Sequence, residues 1–325
     1  MKYIYVLVST PVDLYYEQTF ISMSSLRLYN PNAYIGLLVD DKTVETFMGC
    51  RGGIKTLADE ITVEHFDKRM SNLNRSRWLK TSMRNLVEGD FLFIDGDTLV
   101  CDALDGIEQS DYELAAVLDQ HTILPKSTHY VISQNLLKNL LNDSVFYNYE
   151  KYFNSGVLFV RDTSHNRQFF ANWHDNWKTS VEQKINIDQP SLALTNYQLG
   201  FPIKELDGEW NCQIWHGASY FHSAKILHYF ASEKCRYGVF DKELPLKLKH
   251  IGELDESDLK WLKQSKGSLP NPSFIAVGDD YEVFRSSLCG VLKFLYQYKF
   301  IFNIFEKLLL VPRIIRAKIR SKSKR

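Results

Sequence analysis

Apolar runs that are typical of buried strands alternate along this chain with stretches of helical periodicity. Turn residues or charged side chains bound each run, as in a sheet that is covered on both faces. In the helical stretch 13–29, Leu14, Ile21 and Leu28 share one face. The pattern predicts strands over residues 3–10, 34–41, 60–66, 91–94, 112–119, 152–160 and 224–230, and helices over 13–29, near 43–48, 75–87 and 165–182. Such alternation predicts βαβ units, and therefore an α/β fold with a mainly parallel sheet.

The stretch FLFIDGDTLV (91–100) ends a predicted buried strand in two carboxylates, Asp95 and Asp97, one residue apart. Alternate residues of a strand point the same way, so the two carboxylates can converge. Ligands of open α/β sheets bind beyond the carboxyl ends of the strands, and paired carboxylates suit a hard divalent cation, Mg²⁺ or Mn²⁺. A simple Asp-Gly turn between strands is the plainer alternative.

A phosphatase of the haloacid dehalogenase type is a second alternative for this motif. Its nucleophile motif is also an apolar strand followed by Asp-x-Asp, but it continues with Gly-Thr and usually lies on the first strand. Here Thr98 follows Asp97 directly, after about three predicted βα units. Both departures weigh against the phosphatase.

The composition fits a chain with a substantial core. Its 325 residues, 45% of them hydrophobic, suffice for one large α/β domain or two small ones. The five cysteines are scattered without a CxxC pair, and we interpret them as free thiols of a reducing compartment. The N-terminal apolar run is interpreted as a first strand rather than a cleavable signal, and no stretch has the ~20 uncharged apolar residues that a membrane span needs.

Charge is unevenly distributed, although the formal net charge is zero. Of the 39 Lys and Arg residues, seven lie in residues 311–325, which contain no acid, so that 32 basic side chains accompany 39 acidic ones elsewhere. A basic tail on an acidic body argues against a general nucleic-acid binder and for a localised surface contact.

The segment 291–310, just before this tail, is amphipathic. Apolar side chains of Val291, Leu295, Tyr298, Phe302, Phe305 and Leu309 fall on one helical face. By itself this pattern would favour a core helix. Followed by seven basic residues, it predicts an interfacial helix on an anionic membrane, which would hold the protein at the cytoplasmic face without a span.

Six sequence blocks stand in order along the chain: WLKTSMRNLVEGDFLFIDGDTLV (78–100), AAVLDQ (115–120), FNSGVLFV (153–160), NIDQPSLAL (186–194), LDGEWNCQ (206–213) and ILHYFASEK (226–234). Taken together, these blocks resemble the retaining glycosyltransferase family 8. The chain departs from the family at Trp78, where Arg is usual, and at Ala231, where Gly is usual. The first strand ends in Ser9-Thr10-Pro11, where the family often has Ala-x-Asp.

This resemblance implies a fold and a division of the chain. The fold would be the Rossmann-like GT-A fold of nucleotide-diphospho-sugar transferases, with a mainly parallel central sheet and a C-terminal helical extension. Residues 1–255 would form the catalytic domain, and residues 256–325 a helical, basic, membrane-associating region.

The resemblance also implies a metal site. Asp95 and Asp97 would bind Mn²⁺ or Mg²⁺, and His228 would complete the site, with a core histidine as the alternative. The ion would stabilise the leaving nucleoside diphosphate as a Lewis acid. Lys234 would meet the diphosphate as a point charge; a solvated surface lysine is the plainer interpretation.

Sugar binding is implied for a second group of residues. Asn154 and the catalytic Asp188 would bind sugar hydroxyls, and the catalytic Gln189 would lie beneath the anomeric carbon. Gln189 has no carboxylate charge and is a poor nucleophile, so retention would proceed by a same-face displacement. Asp188 also fits a helix N-cap ahead of Pro190.

Three further polar residues are candidates for donor contacts. Lys80 lies three residues after Arg77 on the same helix face, where both can meet phosphate or sugar; a solvated amphipathic helix explains them equally well. Asp40, at the end of the second strand, can reach a ribose or base, or it belongs to a βα turn.

Three functions follow as hypotheses. The first is a metal-dependent glycosyltransferase that moves a sugar, with UDP-hexose as the expected donor, to a lipid-linked or polysaccharide acceptor. The second is the phosphatase on the same Asp pair. The third is a catalytically silent relative that acts as a membrane-bound partner in glycan assembly.

Overall fold

The computed structural model describes residues 1–127, 150–214, 216–217, 220–231, 238–240, 243–268, 274–277 and 280–283, together with residues 300, 301, 304, 307 and 308. The chain divides into two compact units, Met1–Lys266 and Gly267–Arg325. The first unit contains the central sheet and the candidate site.

A seven-stranded sheet forms the centre of the first unit, in the order β3-β2-β1-β4-β7-β6-β8. Its strands are β1 (Lys2–Leu7), β2 (Tyr34–Asp40), β3 (Glu60–Glu64), β4 (Phe91–Ile94), β6 (Leu114–Leu118), β7 (Phe153–Val160) and β8 (Lys204–Glu205). Strands β1 to β4 pair in parallel, as do β6 and β8, whereas β7 is antiparallel to both β4 and β6. The predicted α/β class and mainly parallel sheet are confirmed.

The four helices that the periodicity predicts are present, and the described residues contain four more. In chain order, the helices are α1 (Tyr15–Tyr29), α2 (Asp41–Glu45), α3 (Ile54–Leu57), α4 (Asn72–Leu86), α5 (Ser164–Glu182), α6 (Gln189–Gln198), α7 (Glu243–Ile251) and α8 (Glu256–Ser268), with short 3₁₀ helices at Gly49–Arg51, Ile107–Gln109, Asp119–His121, Leu124–Lys126, Gly208–Asn211 and Gly238–Phe240. Ser71 caps α4 by accepting from the Asn74 amide at 3.2 Å, and Thr163 caps α5 by accepting from the Asn166 amide at 3.2 Å.

The main core lies where α4 and α5 pack on the sheet. Buried Leu79 and Met83 of α4 meet Phe93 of the sheet and Phe170 and Trp173 of α5. On α1, by contrast, every residue from Tyr16 to Leu26 is buried. A single apolar face was predicted for this helix, but it contacts β1, α7 and a second sheet, so no side of its middle turns faces solvent.

That second, three-stranded sheet is formed by β5 (Thr98–Val100), β10 (Ile226–His228) and β9 (Cys212–Gln213). β10 is antiparallel to β5, with His228 opposite Thr98, and parallel to β9. Because β5 follows β4 after only three residues, this pairing brings the end of a late strand to the Asp95–Asp97 turn.

The direction of β7 has a similar consequence. Since β7 is antiparallel to β4, its first residues lie at the carboxyl end of β4, and the Asp95 amide donates to the Gly156 carbonyl at 2.8 Å. In a parallel arrangement Asn154 and Gly156 would lie at the opposite edge of the sheet.

In the second unit, β11 (Phe274–Val277) and β12 (Asp280–Val283) form an antiparallel pair. Most of the predicted interfacial helix over 291–310, and all of the basic tail 311–325, lie outside the described residues. Of that helix, Phe300, Ile301, Ile304 and Leu308 are described as helical and exposed. Within the described part of the chain, no helix is long and apolar enough to cross a membrane.

Candidate active site

The turn between β4 and β5 holds Asp95 and Asp97 in place. The Thr98 hydroxyl donates to the Asp95 carbonyl at 2.8 Å, and the Asp97 carbonyl accepts from the Tyr229 amide at 3.1 Å. Gly96 packs so closely against α1 that a Cβ on it would lie 2.3 Å from Thr19 Oγ1. The Asp-Gly-Asp sequence is therefore a turn and a site at once, because the glycine permits the close packing that leaves both carboxylates beside one cleft.

His228 meets these carboxylates from β10. Its Nε2 lies 3.3 Å from Asp97 Oδ1, and its Nδ1 lies 3.0 Å from Asn211 Oδ1. Ligand atoms of His228, Asp95 and Asp97 all lie within 4.8 Å of one another. An amide oxygen only accepts, so Asn211 holds the proton on Nδ1 and leaves Nε2 facing the carboxylate. His228 Nε2 and Asp97 Oδ1 are then two acceptors that face each other, and a proton or a metal ion must lie between them.

A chain of amides continues behind the imidazole. Asn211 Nδ2 donates to Asn154 Oδ1 at 2.9 Å, and Asn154 Nδ2 donates to Asp119 Oδ1 at 3.0 Å. Gly156 gives the imidazole its space, since a Cβ there would lie 2.3 Å from His228 Cε1. The buried polar groups thus fix the ring orientation, as outer-shell partners of metal-binding histidines do.

On the other side of Asp95 lies a cluster of alternating charges. Lys80 Nζ is 3.1 Å and 3.2 Å from the two carboxylate oxygens of Asp95, and 3.4 Å from Asp188 Oδ2. Arg77 Nε lies 2.9 Å from Asp188 Oδ1, and Ser155 Oγ donates to Asp188 Oδ2 at 2.7 Å. These contacts join α4 and β7 to the start of α6.

Asp188 occupies the N-cap position of α6, ahead of Pro190, but its side chain makes no capping hydrogen bond. The capping interpretation thus holds for the position and not for the carboxylate. That carboxylate is buried among Arg77, Lys80 and Ser155 and lines the cleft.

The charges in this region shift the pKa values of its acids. Burial alone would raise the pKa of Asp188, but Arg77 and Lys80 hold it well below its usual range. Burial raises the pKa of Asp95, which Lys80 only partly offsets. Burial would also raise the pKa of Asp97, but His228 holds it below its usual range. Asp97 and Asp188 are therefore carboxylates at neutral pH.

Two cavities, each of about 410 Å³, meet at this turn and share Arg77, Asp95, Asp97 and Phe230. The first, the β1 cavity, lies at the carboxyl end of β1 and is further lined by Val6, Leu7, Val8, Asp13, Tyr15, Gln18, Thr19, Asn72, Leu73, Ser76, Gly96 and Ala231. The second, the β7 cavity, is further lined by Lys80, Asp119, Tyr152, Asn154, Ser155, Gly156, Ile187, Asp188, Gln189 and His228.

Most of the predicted site residues therefore come together. Asp95, Asp97, His228, Arg77, Lys80, Asn154, Asp188 and Gln189 all line the β7 cavity. Lys234 lies outside the described residues.

Asp40 is separate from this group. It is fully buried, its Oδ1 accepts from the Thr43 amide at 3.0 Å, and its Oδ2 pairs with Arg75 Nη1 at 2.8 Å. The structure gives Asp40 the role of capping α2, which was the βα-turn alternative, and a contact with a ribose or base would require this ion pair to open.

Arg75 is thus held in an ion pair with Asp40. Arg77, on the same helix α4, lines both cavities. Trp78, which stands where the resembled family usually has Arg, packs edge-on against Phe66 and His174 at centroid distances of 5.1 and 5.2 Å. Its role is therefore in the packing of α4 and not in the site.

Sequence reasoning did not single out Asn211, Asp119, Ser155 or Phe230. All four lie inside the quoted blocks, so the blocks mark the right segments. Their roles depend on contacts across the fold, such as the 3.0 Å contact between His228 and Asn211, which no local pattern shows.

The fold matches solved glycosyltransferase structures. An active-site variant of LgtC superposes with a TM-score of 0.52 at 12% identity, covering 81% of this chain and 100% of that chain. The apo structure of the bifunctional glycosyltransferase WbbM superposes with a TM-score of 0.51 at 14% identity, covering 81% of this chain and 51% of that chain. The chain thus spans about half the length of WbbM, and the GT-A fold is confirmed.

The profile of glycosyl transferase family 8 matches residues 16–235, more than half of the chain. The chain therefore belongs to glycosyl transferase family 8 and is a glycosyltransferase. The predicted resemblance is confirmed, and neither the phosphatase nor the silent partner is favoured. Among curated proteins, none has a significantly similar sequence.

Proposed function

We propose that this glycosyltransferase takes its sugar from a nucleotide-diphosphate sugar with the help of a divalent cation at Asp95, Asp97 and His228. The observation that carries the proposal is the position of these residues. Their ligand atoms lie within 4.8 Å of one another, and the two aspartates line both cavities. A donor that spanned the two cavities would place its diphosphate beside them.

The residues present fit a divalent ion. Asn211 orients His228 so that Nε2 faces the Asp97 carboxylate, and the three side chains offer two oxygen ligands and one nitrogen. Mn²⁺ is the first choice because Mg²⁺ takes mainly oxygen ligands. When bound, the ion would supply Lewis-acid stabilisation of the negative charge that grows on the leaving diphosphate.

The protein's own cations complete this electrostatic environment. Arg77 lines both cavities, and Lys80 lines the β7 cavity between the carboxylates of Asp95 and Asp188. Both can contact the diphosphate or the sugar, since each offers several donors. Lys234 is proposed as a further phosphate contact.

Sugar binding is assigned to the β7 cavity. The Asp188 carboxylate, which stays ionised beside Arg77 and Lys80, would accept hydrogen bonds from sugar hydroxyls, together with Asn154. Gln189 begins α6 on the same wall and would lie beneath the anomeric carbon. Gln189 lacks a carboxylate charge, so the proposed retention is a same-face displacement in which the leaving phosphate takes the acceptor proton.

The nucleoside is assigned to the β1 cavity, with UDP-hexose as the proposed donor. Asp13, an acid of that cavity, is engaged within the protein: it accepts from the Ser9 hydroxyl at 2.6 Å and from the Thr10 amide at 2.7 Å. The base would therefore be held by uncharged groups such as Gln18 and Asn72.

For the acceptor, we propose a lipid-linked or polysaccharide glycan at the cytoplasmic face of a membrane. The basic residues of 311–325 and the exposed Phe300, Ile301 and Leu308 support peripheral contact with anionic lipid. Removing residues 312–325 should release the protein from phosphatidylglycerol liposomes while leaving hydrolysis of the donor in solution unchanged. Binding that does not weaken as salt is raised would argue against an electrostatic contact.

The central proposal is tested by thermal shift and donor turnover with Mn²⁺, Mg²⁺ and a panel of nucleoside diphosphates. Mn²⁺ with the correct nucleotide should raise the melting temperature, and the matching nucleotide sugar should be hydrolysed or transferred. Asp105→Asn, an exposed acid outside both cavities, is the matched control for Asp97→Asn. Metal-independent hydrolysis of p-nitrophenyl phosphate, with no response to any nucleotide, would refute the proposal.

A further inference from the structure

Phe230 has an unusual backbone conformation two residues after His228. Its φ is +50°, in the left-handed region where a bulky side chain is an outlier. Residues held in such conformations cluster at functional sites, where the surrounding structure maintains them. Phe230 is at such a site, since it lines both cavities together with Asp95 and Asp97.

This conformation places the phenyl ring over the imidazole of His228. The ring centroids are 4.2 Å apart and the ring planes differ by 24°. In an extended strand, side chains two residues apart are separated by roughly 6.6 Å, twice the rise per residue. The turn of the backbone at Phe230 is therefore what closes the gap and allows the two rings to stack.

The stack completes the enclosure of the imidazole. Asn211 contacts its Nδ1 at 3.0 Å, Gly156 leaves room beside its Cε1, and Asp97 faces its Nε2. The amide contact restrains the ring edge, but only a group over the ring face opposes tilting out of the plane. Phe230 stacks on one face of this ring and so opposes such a tilt.

We propose that Phe230 is a positioning residue that holds His228 in the orientation needed for metal binding. This inference rests on the proposed metal site at Asp95, Asp97 and His228. It requires an aromatic ring at position 230 in addition to the left-handed backbone.

The test is calorimetric titration of the full chain with Mn²⁺ alone and with Mn²⁺ in the presence of UDP. Phe230→Ala should weaken Mn²⁺ binding by roughly 10-fold, the lower end of the effect of losing an outer-shell partner. Phe230→Tyr, which keeps the ring, should retain the wild-type affinity. Phe230→Gly, which adopts a positive φ without strain, should bind as weakly as the alanine variant.

Phe201→Ala is the matched control, since Phe201 also has a positive φ, of +65°, and lies outside both cavities. It should leave Mn²⁺ affinity unchanged. If Phe230→Ala does not fold in a urea melt, Phe230→Leu replaces it with the same expectation. Wild-type affinity in the folded Phe230 variants, or an equal loss in Phe230→Tyr, would overturn the inference.

Failure of the metal site itself would look different. Equal Mn²⁺ binding by the wild type and Asp97→Asn would refute the proposed function on which the inference depends. Loss of binding in Asp97→Asn, with full binding in Phe230→Ala, would refute only the role of Phe230.

Discussion

The two cavities beside Asp95 and Asp97 come from different halves of the sheet and differ in character. The β1 cavity lies at the end of a parallel strand and is lined mainly by uncharged side chains such as Val8, Leu73 and Ser76. The β7 cavity lies at the start of an antiparallel strand and is lined by the paired charges of Lys80 and Asp188 and by the amides behind His228. Arg77, Asp95 and Asp97 belong to both cavities, so the β1 cavity adds mainly an uncharged wall to them, whereas the β7 cavity adds Lys80, the Asp188 carboxylate and the amides behind His228.

The largest effect is expected where the two cavities meet. Asp97→Asn removes a carboxylate that both share and that faces His228 at 3.3 Å. Transfer should fall by roughly 100-fold or more, since metal affinity and Lewis-acid stabilisation are both lost. Initial rates over a range of Mn²⁺ concentrations measure it, beside Asp105→Asn. Full Mn²⁺-dependent activity of Asp97→Asn would show that neither cavity depends on the shared carboxylate.

A pair of glycine substitutions separates the two halves more directly. In β7, a Cβ on Gly156 would lie 2.3 Å from His228 Cε1; in β2, a Cβ on Gly36 would lie 2.7 Å from Ile4 Cδ1. Gly156→Ala should weaken Mn²⁺ binding by roughly 10-fold, because the imidazole must move. Gly36→Ala should cost about 1–3 kcal/mol of stability by overpacking, with unchanged metal affinity.

Calorimetric Mn²⁺ titrations and urea melts of both glycine variants measure these quantities. The distinction between the two halves of the sheet would fail if Gly36→Ala lost metal affinity as well, or if folded Gly156→Ala kept its metal affinity.

A third comparison uses one hydroxyl from each cavity. Ser155 Oγ donates to Asp188 at 2.7 Å, so Ser155→Ala should lower kcat about 2- to 10-fold by loosening Asp188, a proposed sugar contact. Ser76 lines the β1 cavity, and Ser76→Ala should raise the KM for the donor by a similar or smaller factor without changing kcat. Steady-state kinetics of both variants measure kcat and the KM for the donor. A KM effect in Ser155→Ala together with a kcat effect in Ser76→Ala would exchange the roles assigned to the cavities.

The smallest expected effect is a pH dependence of the free energy of unfolding that comes from His121. Burial lowers the pKa of His121 to about 4, and its Nε2 accepts from the Gln213 amide at 2.9 Å. Between about pH 6.5 and 4 the unfolded chain binds a proton that the folded protein does not, so the free energy of unfolding falls as the pH drops through this range. Above about pH 6.5 the group adds no pH dependence.

His121→Asn, which tolerates the positive φ of this position, should flatten that slope. A residual slope should remain from His174 of α5, which contacts Trp78 and Thr81 of α4 and whose pKa burial also lowers to about 4. Urea midpoints of the wild type and His121→Asn at several pH values measure the slope. An unchanged slope in His121→Asn would assign the acid sensitivity to other groups.

Much of this protein follows from local pattern. Apolar runs predict the buried strands, helical periodicity predicts α4 and α5, and the Asp-Gly-Asp turn is predicted as a site because its carboxylates follow a buried strand. Each of these depends on neighbours within a few residues, where periodicity acts. The ordered blocks then identify the family, confirmed over residues 16–235.

The rest was decided by tertiary structure, because it depends on which strands become neighbours. The antiparallel direction of β7 brings Asn154 and Gly156 to Asp95, and the pairing of β10 with β5 brings His228 to Asp97. Asp40 illustrates the converse: it ends a strand as Asp95 does, yet Arg75 reaches it and buries it in an ion pair. Sequence alone determines that a carboxylate stands at a strand end, and only the packing of distant segments decides whether it faces a ligand or another part of the protein.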